Sequence, residues 1–405
     1  MKLLKTTLVL IGATALITTS CKKKGCMDPL AQNYSAEAEK EDKKDACTYE
    51  ISTPATYTFT RNGNSTVSFG GQTTRMEMLS EMVTYMKTAN TAGSSITETI
   101  LKNMYANSGY TWADALGLGM TGSTKQLKNK TAYGSAGGSA DVGVQNTFEG
   151  YMTSLANISA TTTSGVEDGM SGTAGVWAND GVKGPYLMDA EGKEFTQLIE
   201  KGLMCSVLMS QITVNYLGGI ASDDNTEIIE GKDYTEMEHH WDEAYGYFTD
   251  AIDFPTNGTD RFWGKYSDGR ETILGSATTL SAAFRTGRAA IVSQDYTARD
   301  VQVTIIRNEL EKVVAGSAIH YLNSAKSNIA NNVARNHSLS EAYAFLEGLK
   351  YGYNSINSVG MTSAQIDSAL SNFENDFNTV TLANINSAID LIASNTGLES
   401  VKGSL

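Results

Sequence analysis

Residues 193–217 read KEFTQLIEKGLMCSVLMSQITVNYL, and the spacing of the apolar side chains in this run decides the fold class. Phe195, Leu198, Ile199, Leu203, Val207 and Leu208 recur mostly at steps of three and four, the period of an α-helix rather than the two-residue alternation of a strand. The run is therefore a long helix with one buried face, and Cys205 within it is a small buried hydrophobe. Outward from it, the same periodicity returns in residues 232–251, 278–293, 296–330, 338–352, 362–375 and 381–395. On the N-terminal side it appears from Thr73 (Met76, Met78, Leu79, Met82, Met86), over Ile96 to Ala106, and near Phe148 to Ala160. Ser338 to Glu341 and Thr362 to Asp367 read as helix starts, a polar cap ahead of an acidic first turn. Four prolines against 38 glycines fit long helices joined by Gly-rich loops. With no fixed-period repeat, the prediction is a mainly α protein built as a multi-helix bundle.

Two segments depart from helical periodicity. Residues 55–69 alternate around Asn62-Gly63-Asn64, with Tyr57, Phe59, Val67 and Phe69 as the apolar members, which predicts a small N-terminal β-hairpin. Residues 107–186 are rich in Gly, Ser and Thr and poor in charge, a long insert that is expected to be either functional or partly mobile.

The N-terminus carries addresses rather than fold. Lys2 and Lys5 precede the short apolar run Leu8 to Ile17, and Thr18-Thr19-Ser20 lead into Cys21. Residues 1–20 are predicted to be a signal peptide, with Cys21 the cleaved and lipid-modified terminus. Residues 21–54 then form the lipidated cysteine, a basic tether and a short module stapled by a Cys26–Cys47 disulfide, as an oxidising compartment allows. Lys22, Lys23 and Lys24 would lie against lipid phosphates, each contributing on the order of 1 kcal/mol of attraction. The expected location is the cell envelope, lipid-anchored to the outer membrane. The periplasmic face is favoured, because this basic run is unlike an acidic surface-export signal. No stretch after Cys21 approaches 18 consecutive apolar residues, so the helical body, residues 55–400, is expected to span no membrane.

Loss of Lys2 and Lys5 with the signal peptide takes the formal charge from −14 to about −16. A chain so acidic and without a basic stripe repels nucleic acid, which is excluded as a main partner. The chain has no His-Glu-x-x-His, no Gly-x-Ser-x-Gly and no Walker loop. Gly117-Leu-Gly119-Met-Thr-Gly122 matches a dinucleotide fingerprint in letters, but no predicted strand precedes it.

The chemistry-bearing stretch is residues 234–248, YTEMEHHWDEAYGYF, which holds two of the four histidines. On a helix, Glu236 and His239 are three apart, His240 and Glu243 three apart, and His239 and Glu243 four apart, so that side chains of mixed type converge. Imidazole with carboxylate at this spacing is how helical bundles hold iron or another divalent metal, and His337 with Glu341, four apart, can complete the shell from a second helix. His320, on a face with Val313, Gly316 and Ser317, is a third candidate. Nine carboxylates and one lysine lie between Asp223 and Glu243, a cation-attracting run that also suits a solvated face. Trp241, Tyr245 and Phe248 read as core anchors. Glu194, Gln197 and Glu200, at steps of three, read as hydrogen-bonding groups between packed helices.

Several of these segments together resemble a family. Tyr57 to Arg75, Lys125 to Lys130, Glu194 to Gly202, His239 to Phe248, Arg261 to Tyr266 and His337 to Glu341 resemble the Bacteroidetes lipoproteins grouped as domain of unknown function 4856, over about residues 55–400. That family is in turn distantly similar to imelysin-like envelope proteins, helical bundles associated with iron uptake and once classed as peptidases. Their signature is Gly-x-His-x-x-Glu. His240 and Glu243 fill its last two positions, while Glu238 occupies the place of the glycine. The resemblance implies a non-enzymatic protein that binds a metal ion or an iron-bearing ligand through His240 and Glu243, helped by Glu236, His239, His337 or Glu341. Two other readings stand beside it. One is a metallopeptidase with Glu243 as general base. The other is a structural protein whose insert 107–186 contacts an outer-membrane receptor.

Overall fold

The computed structural model describes residues 22–27, 31, 33–41, 47, 52–133, 140–256, 261–373 and 375–405. The predicted signal peptide and Cys21, the predicted lipidation site, lie outside the described residues. The chain divides into two units, residues 1–50 and 51–405. In the first, Cys26 and Cys47 are joined by a disulfide, and isolated bridges pair Lys24 with Lys40 and Cys26 with Tyr34.

The second unit is mainly helical. Its helices are α1 (Gly70–Lys87), α2 (Glu98–Ala106), α3 (Val142–Thr161), α4 (Phe195–Ser222), α5 (Glu236–Phe248), α6 (Phe262–Gly269), α7 (Ser276–Val292), α8 (Tyr296–Ser327), α9 (Asn332–Gly348), α10 (Ser363–Leu370) and α11 (Leu382–Thr396). The predicted hairpin is present but short, with β1 (Thr60–Arg61) paired antiparallel to β2 (Asn64–Ser65). Asn62 and Gly63 both take positive φ, the geometry that a two-residue hairpin turn requires.

The run that decided the fold class, α4, lies at the centre of the body and packs against α9, with α3 on another side. It is the one described helix long and apolar enough to cross a bilayer, and 83% of that apolar window is buried inside the protein. Its middle widens into π-helical turns over Met204–Met209 and Gln211–Tyr216. Such turns loosen the internal ladder, and groups from outside take up the carbonyls. The Trp263 indole donates to Met204 O at 3.1 Å, and Arg307 Nε donates to Thr213 O at 3.1 Å. Cys205 is fully buried as expected, and a side chain at Gly348 of α9 would meet its sulfur at 2.4 Å. The two helices cross that closely because residue 348 has no side chain. The 32-residue α8 packs most extensively on α9 and α7.

Two sequence expectations need correction. Ser338 does not start a helix. α9 begins at Asn332, so His337 and Glu341 sit in its middle. The misleading hydroxyls are interior: Ser340 Oγ donates to Asn336 O at 2.9 Å, and Ser338 pairs with Ser324 on α8 at 2.9 Å. The carboxylate that does serve the first turn of α9 comes from the insert, where Asp180 accepts from Ala334 N at 2.9 Å. Nor is the insert merely loop around one helix. It contains α3 and an antiparallel pair, β3 (Gly175–Trp177) with β4 (Tyr186–Met188). Its first part is latched by side chains, since the Asn107 amide donates to Met120, Ser123 and Lys125 carbonyls. Asp114 there accepts from the backbone N–H groups of Leu118, Gly119 and Met120, so the glycine-rich fingerprint is a loop wrapped on its own aspartate.

Candidate metal centre

The site is built where α4 ends and α5 begins. Residues 223–235 fold back on themselves, with Ile228 bridging Thr235 and Met237 N donating to Asp224 O at 3.0 Å. α5 opens with a capping box: Thr235 Oγ1 accepts from Glu238 N, and Glu238 accepts from Thr235 N. This fixes which way each side chain of 234–248 points. Three acid-bearing pairs, each spaced by four, then look in three directions.

The first pair, Glu238 and Asp242, faces inward. Arg288, fully buried on α7, donates to Asp242 Oδ1 at 3.0 Å and to Glu238 Oε1 at 2.9 Å. Arg61 adds a fork onto Glu238, both contacts at 3.0 Å, while Tyr57 OH and Ser68 N complete Asp242. Burial works against charge on Glu238, yet Arg288 and Arg61 hold its carboxyl below the ordinary value. Burial pushes Asp242 up to about 6 against the pull of Arg288. Glu238, at the glycine position of the resembled signature, thus belongs to a buried ion network that anchors the hairpin.

The second pair, His239 and Glu243, lies along α1. Glu243 Oε1 accepts from Gln72 Nε2 at 2.7 Å and is 4.0 Å from His239 Nε2. Tyr234 stacks on the His239 ring with centroids 4.7 Å apart, and burial lowers the His239 pKa.

The third pair, Glu236 and His240, turns toward the end of α4. His240 Nδ1 and Asp223 Oδ2 are 2.8 Å apart, and one ligand atom from each of Asp223, Glu236 and His240 lies within 4.8 Å of the others. Glu236 is exposed and the other two are half-buried. The hydrogen bond to Asp223 raises the His240 pKa, with Asp223, Glu243 and Glu236 charges acting in the same sense. One imidazole and two carboxylates are a donor set suited to iron, manganese or zinc. The exposed Glu236 carboxylate accepts from Asp224 N at 3.1 Å through Oε2, a bond that ties it to the fold-back. Of the residues singled out from sequence, Glu236 and His240 meet here, and Glu243 and His239 form the neighbouring pair. Asp223 was not among the named ligands. Its only sequence signal is its membership of the acidic run, because its approach depends on the fold-back of 223–235.

His337 and Glu341 share none of these contacts. His337 Nδ1 is 2.6 Å from Glu194 Oε2 at the N-terminus of α4, and His337 Nε2 is 3.3 Å from Glu341 Oε2. Lys201 continues the chain, 3.7 Å from Glu341 Oε1 and 2.7 Å from Glu200 Oε1. Tyr186 of β4 stacks on the imidazole, centroids 4.3 Å apart and 6° from parallel. Burial disfavours the imidazolium, but Glu194 and Glu341 outweigh it and raise the His337 pKa. Burial likewise raises that of Glu341. Glu194 does bond between packed helices, to His337 of α9, as read from its spacing, whereas Gln197 donates back to Glu194 at the start of its own helix. His320 makes its own contact with Leu405 O at 2.8 Å, and burial lowers its pKa.

Residues 54–398 match the family model described as Domain of unknown function (DUF4856). Neither a comparison with curated proteins nor one with solved structures returned a match.

Proposed function

The chain belongs to the family of the Domain of unknown function (DUF4856), and on that premise we propose that it is a cell-envelope lipoprotein that binds a divalent transition metal, or an iron-bearing ligand through it, at Asp223, Glu236 and His240 without catalysing a reaction. The observation that carries the reading is the convergence of these three donors, one from just past the end of α4 and two from α5, to within 4.8 Å. The acidic run around them raises the local cation concentration. Three protein donors on a partly open rim leave coordination positions for an incoming chelate. That suits capture and handover in iron uptake, the role implied by the imelysin resemblance. Lipid at Cys21 would hold the site at the outer membrane, on the periplasmic face and within reach of a receptor.

The test is calorimetric titration with Fe²⁺, Mn²⁺ and Zn²⁺. One of them is expected to bind stoichiometrically, and His240→Ala is expected to weaken that binding at least ~10-fold, as loss of a direct ligand should. Equal affinity in the variant would remove the reading.

A metallopeptidase would need Glu243 as a base on metal-bound water. Its carboxylate is instead engaged by Gln72 and lies beside His239, which favours binding over catalysis. Unfolded substrates are therefore expected to show no chelator-sensitive cleavage.

A further inference from the structure

We propose a second divalent-cation site inside the bundle, between α4 and α9, with His337 Nε2 and Glu341 Oε2 as ligands and Glu194 as the carboxylate that orients the imidazole. It stands independently of the Asp223 centre, sharing no residue with it.

His337 Nε2 and Glu341 Oε2 approach to 3.3 Å, yet this oxygen, on a residue only 5% exposed, has no hydrogen-bond partner. An imidazole nitrogen and a carboxylate oxygen at this separation are spaced like one edge of a coordination polyhedron. Bonds of about 2.0–2.2 Å to one ion place neighbouring ligand atoms a little over 3 Å apart.

The surroundings are those of a ligand histidine. Metal-bound imidazoles give their other nitrogen to a carboxylate, and Glu194 takes Nδ1 at 2.6 Å. Glu194 is itself fixed, its backbone N–H donating to Ser340 Oγ at 2.9 Å and its Oε1 accepting from Gln197 at 3.0 Å. Gln197, 4% exposed, leaves its own Oε1 unpartnered. The Lys201 ammonium lies closer to Glu200, 2.7 Å from its Oε1, than to Glu341, 3.7 Å from its Oε1. The Tyr186 ring closes the imidazole face from solvent. A buried carboxylate oxygen that makes no hydrogen bond is costly, and a cation removes the cost.

The experiment uses the full chain refolded with Zn²⁺, so that slow entry to a buried site does not mask binding. The first centre is disabled by Asp223→Asn with His240→Gln. This protein is expected to retain one equivalent of Zn²⁺ and to melt higher when loaded. Adding Glu341→Gln should remove both the equivalent and the rise in Tm. Glu194→Gln, which keeps both ligands, should weaken binding about 10–100-fold and decides the matter if Glu341→Gln does not fold. No saturable Zn²⁺ in the protein lacking the first centre, or a stoichiometry indifferent to both glutamate changes, overturns the proposal. Glu341→Gln alone reports separately on the Asp223 centre.

Discussion

His240 and His337 have the same local grammar, a histidine with a glutamate four residues away on the same helix face, and the fold gives them opposite surroundings. His240, with Glu236, stands on a rim that water reaches, where its neighbours can move. His337, with Glu341, is sealed between α4 and α9 and roofed by Tyr186. The spacing sets which side chains meet, while the dielectric around them sets what the meeting is worth. A rim cluster can exchange a proton for an ion at little structural cost. An interior one cannot lose a member without leaving charge stranded.

The sharpest break of this comparison is truncation of each histidine. His337→Ala strands Glu194 and Glu341 in the interior and should cost about 3–5 kcal/mol in denaturant unfolding. A loss under about 1 kcal/mol would mean that water already reaches the cluster. Tyr186→Ala, which unroofs the imidazole without touching the charges, should cost about 1–2 kcal/mol. His240→Ala should cost less than about 1 kcal/mol, its ion pair being partly exposed, while abolishing metal binding at the rim.

Acidity sharpens the comparison further. Both histidines have folded pKa values raised above the ordinary ~6.5. The stability each contributes is complete below about 6.5 and is lost as pH rises through the folded value. The gap in Tm between the wild type and His337→Gln should therefore shrink as pH is raised over this window. His239, whose pKa is lowered by burial, acts in the reverse sense, its contribution present above about 6.5 and lost as pH falls. A gap in Tm that widens with rising pH for His337→Gln would contradict the imidazolium between two carboxylates.

What was legible in the sequence was what periodicity and local turn chemistry encode. The long buried α4, the Asn62-Gly63 turn, Thr362 as the cap of α10 and the anchors Trp241, Tyr245 and Phe248 all follow from spacing and residue type. What was not legible depends on partners distant in the chain. Asp180 serves α9 from 154 residues away, while Asn331 at its N-cap makes no side-chain cap bond, so the group that satisfies this helix start is distant in the chain. Arg288 neutralises Glu238 and Asp242 from 50 and 46 residues away, and Gly287 beside it makes room for Trp241, whose ring would lie 2.1 Å from an added Cβ. The strands β3 and β4 are three residues each, too short to show alternation. At the rim site the residue types were readable, but the spacing was read as His240 with Glu243 and Glu236 with His239, whereas the fold brings Glu236 to His240 and leaves Glu243 beside His239. Asp223 was not readable, because a carboxylate just past the end of α4 reaches His240 only through the fold-back of 223–235.

Metal content of the chain purified without chelator, measured by elemental analysis for wild type, Asp223→Asn and Glu243→Gln, tests the central claim most directly. The rim centre predicts a stoichiometric transition metal that is reduced in Asp223→Asn and retained in Glu243→Gln. Loss in Glu243→Gln with retention in Asp223→Asn would return the ion to the His240–Glu243 spacing and contradict the site described here.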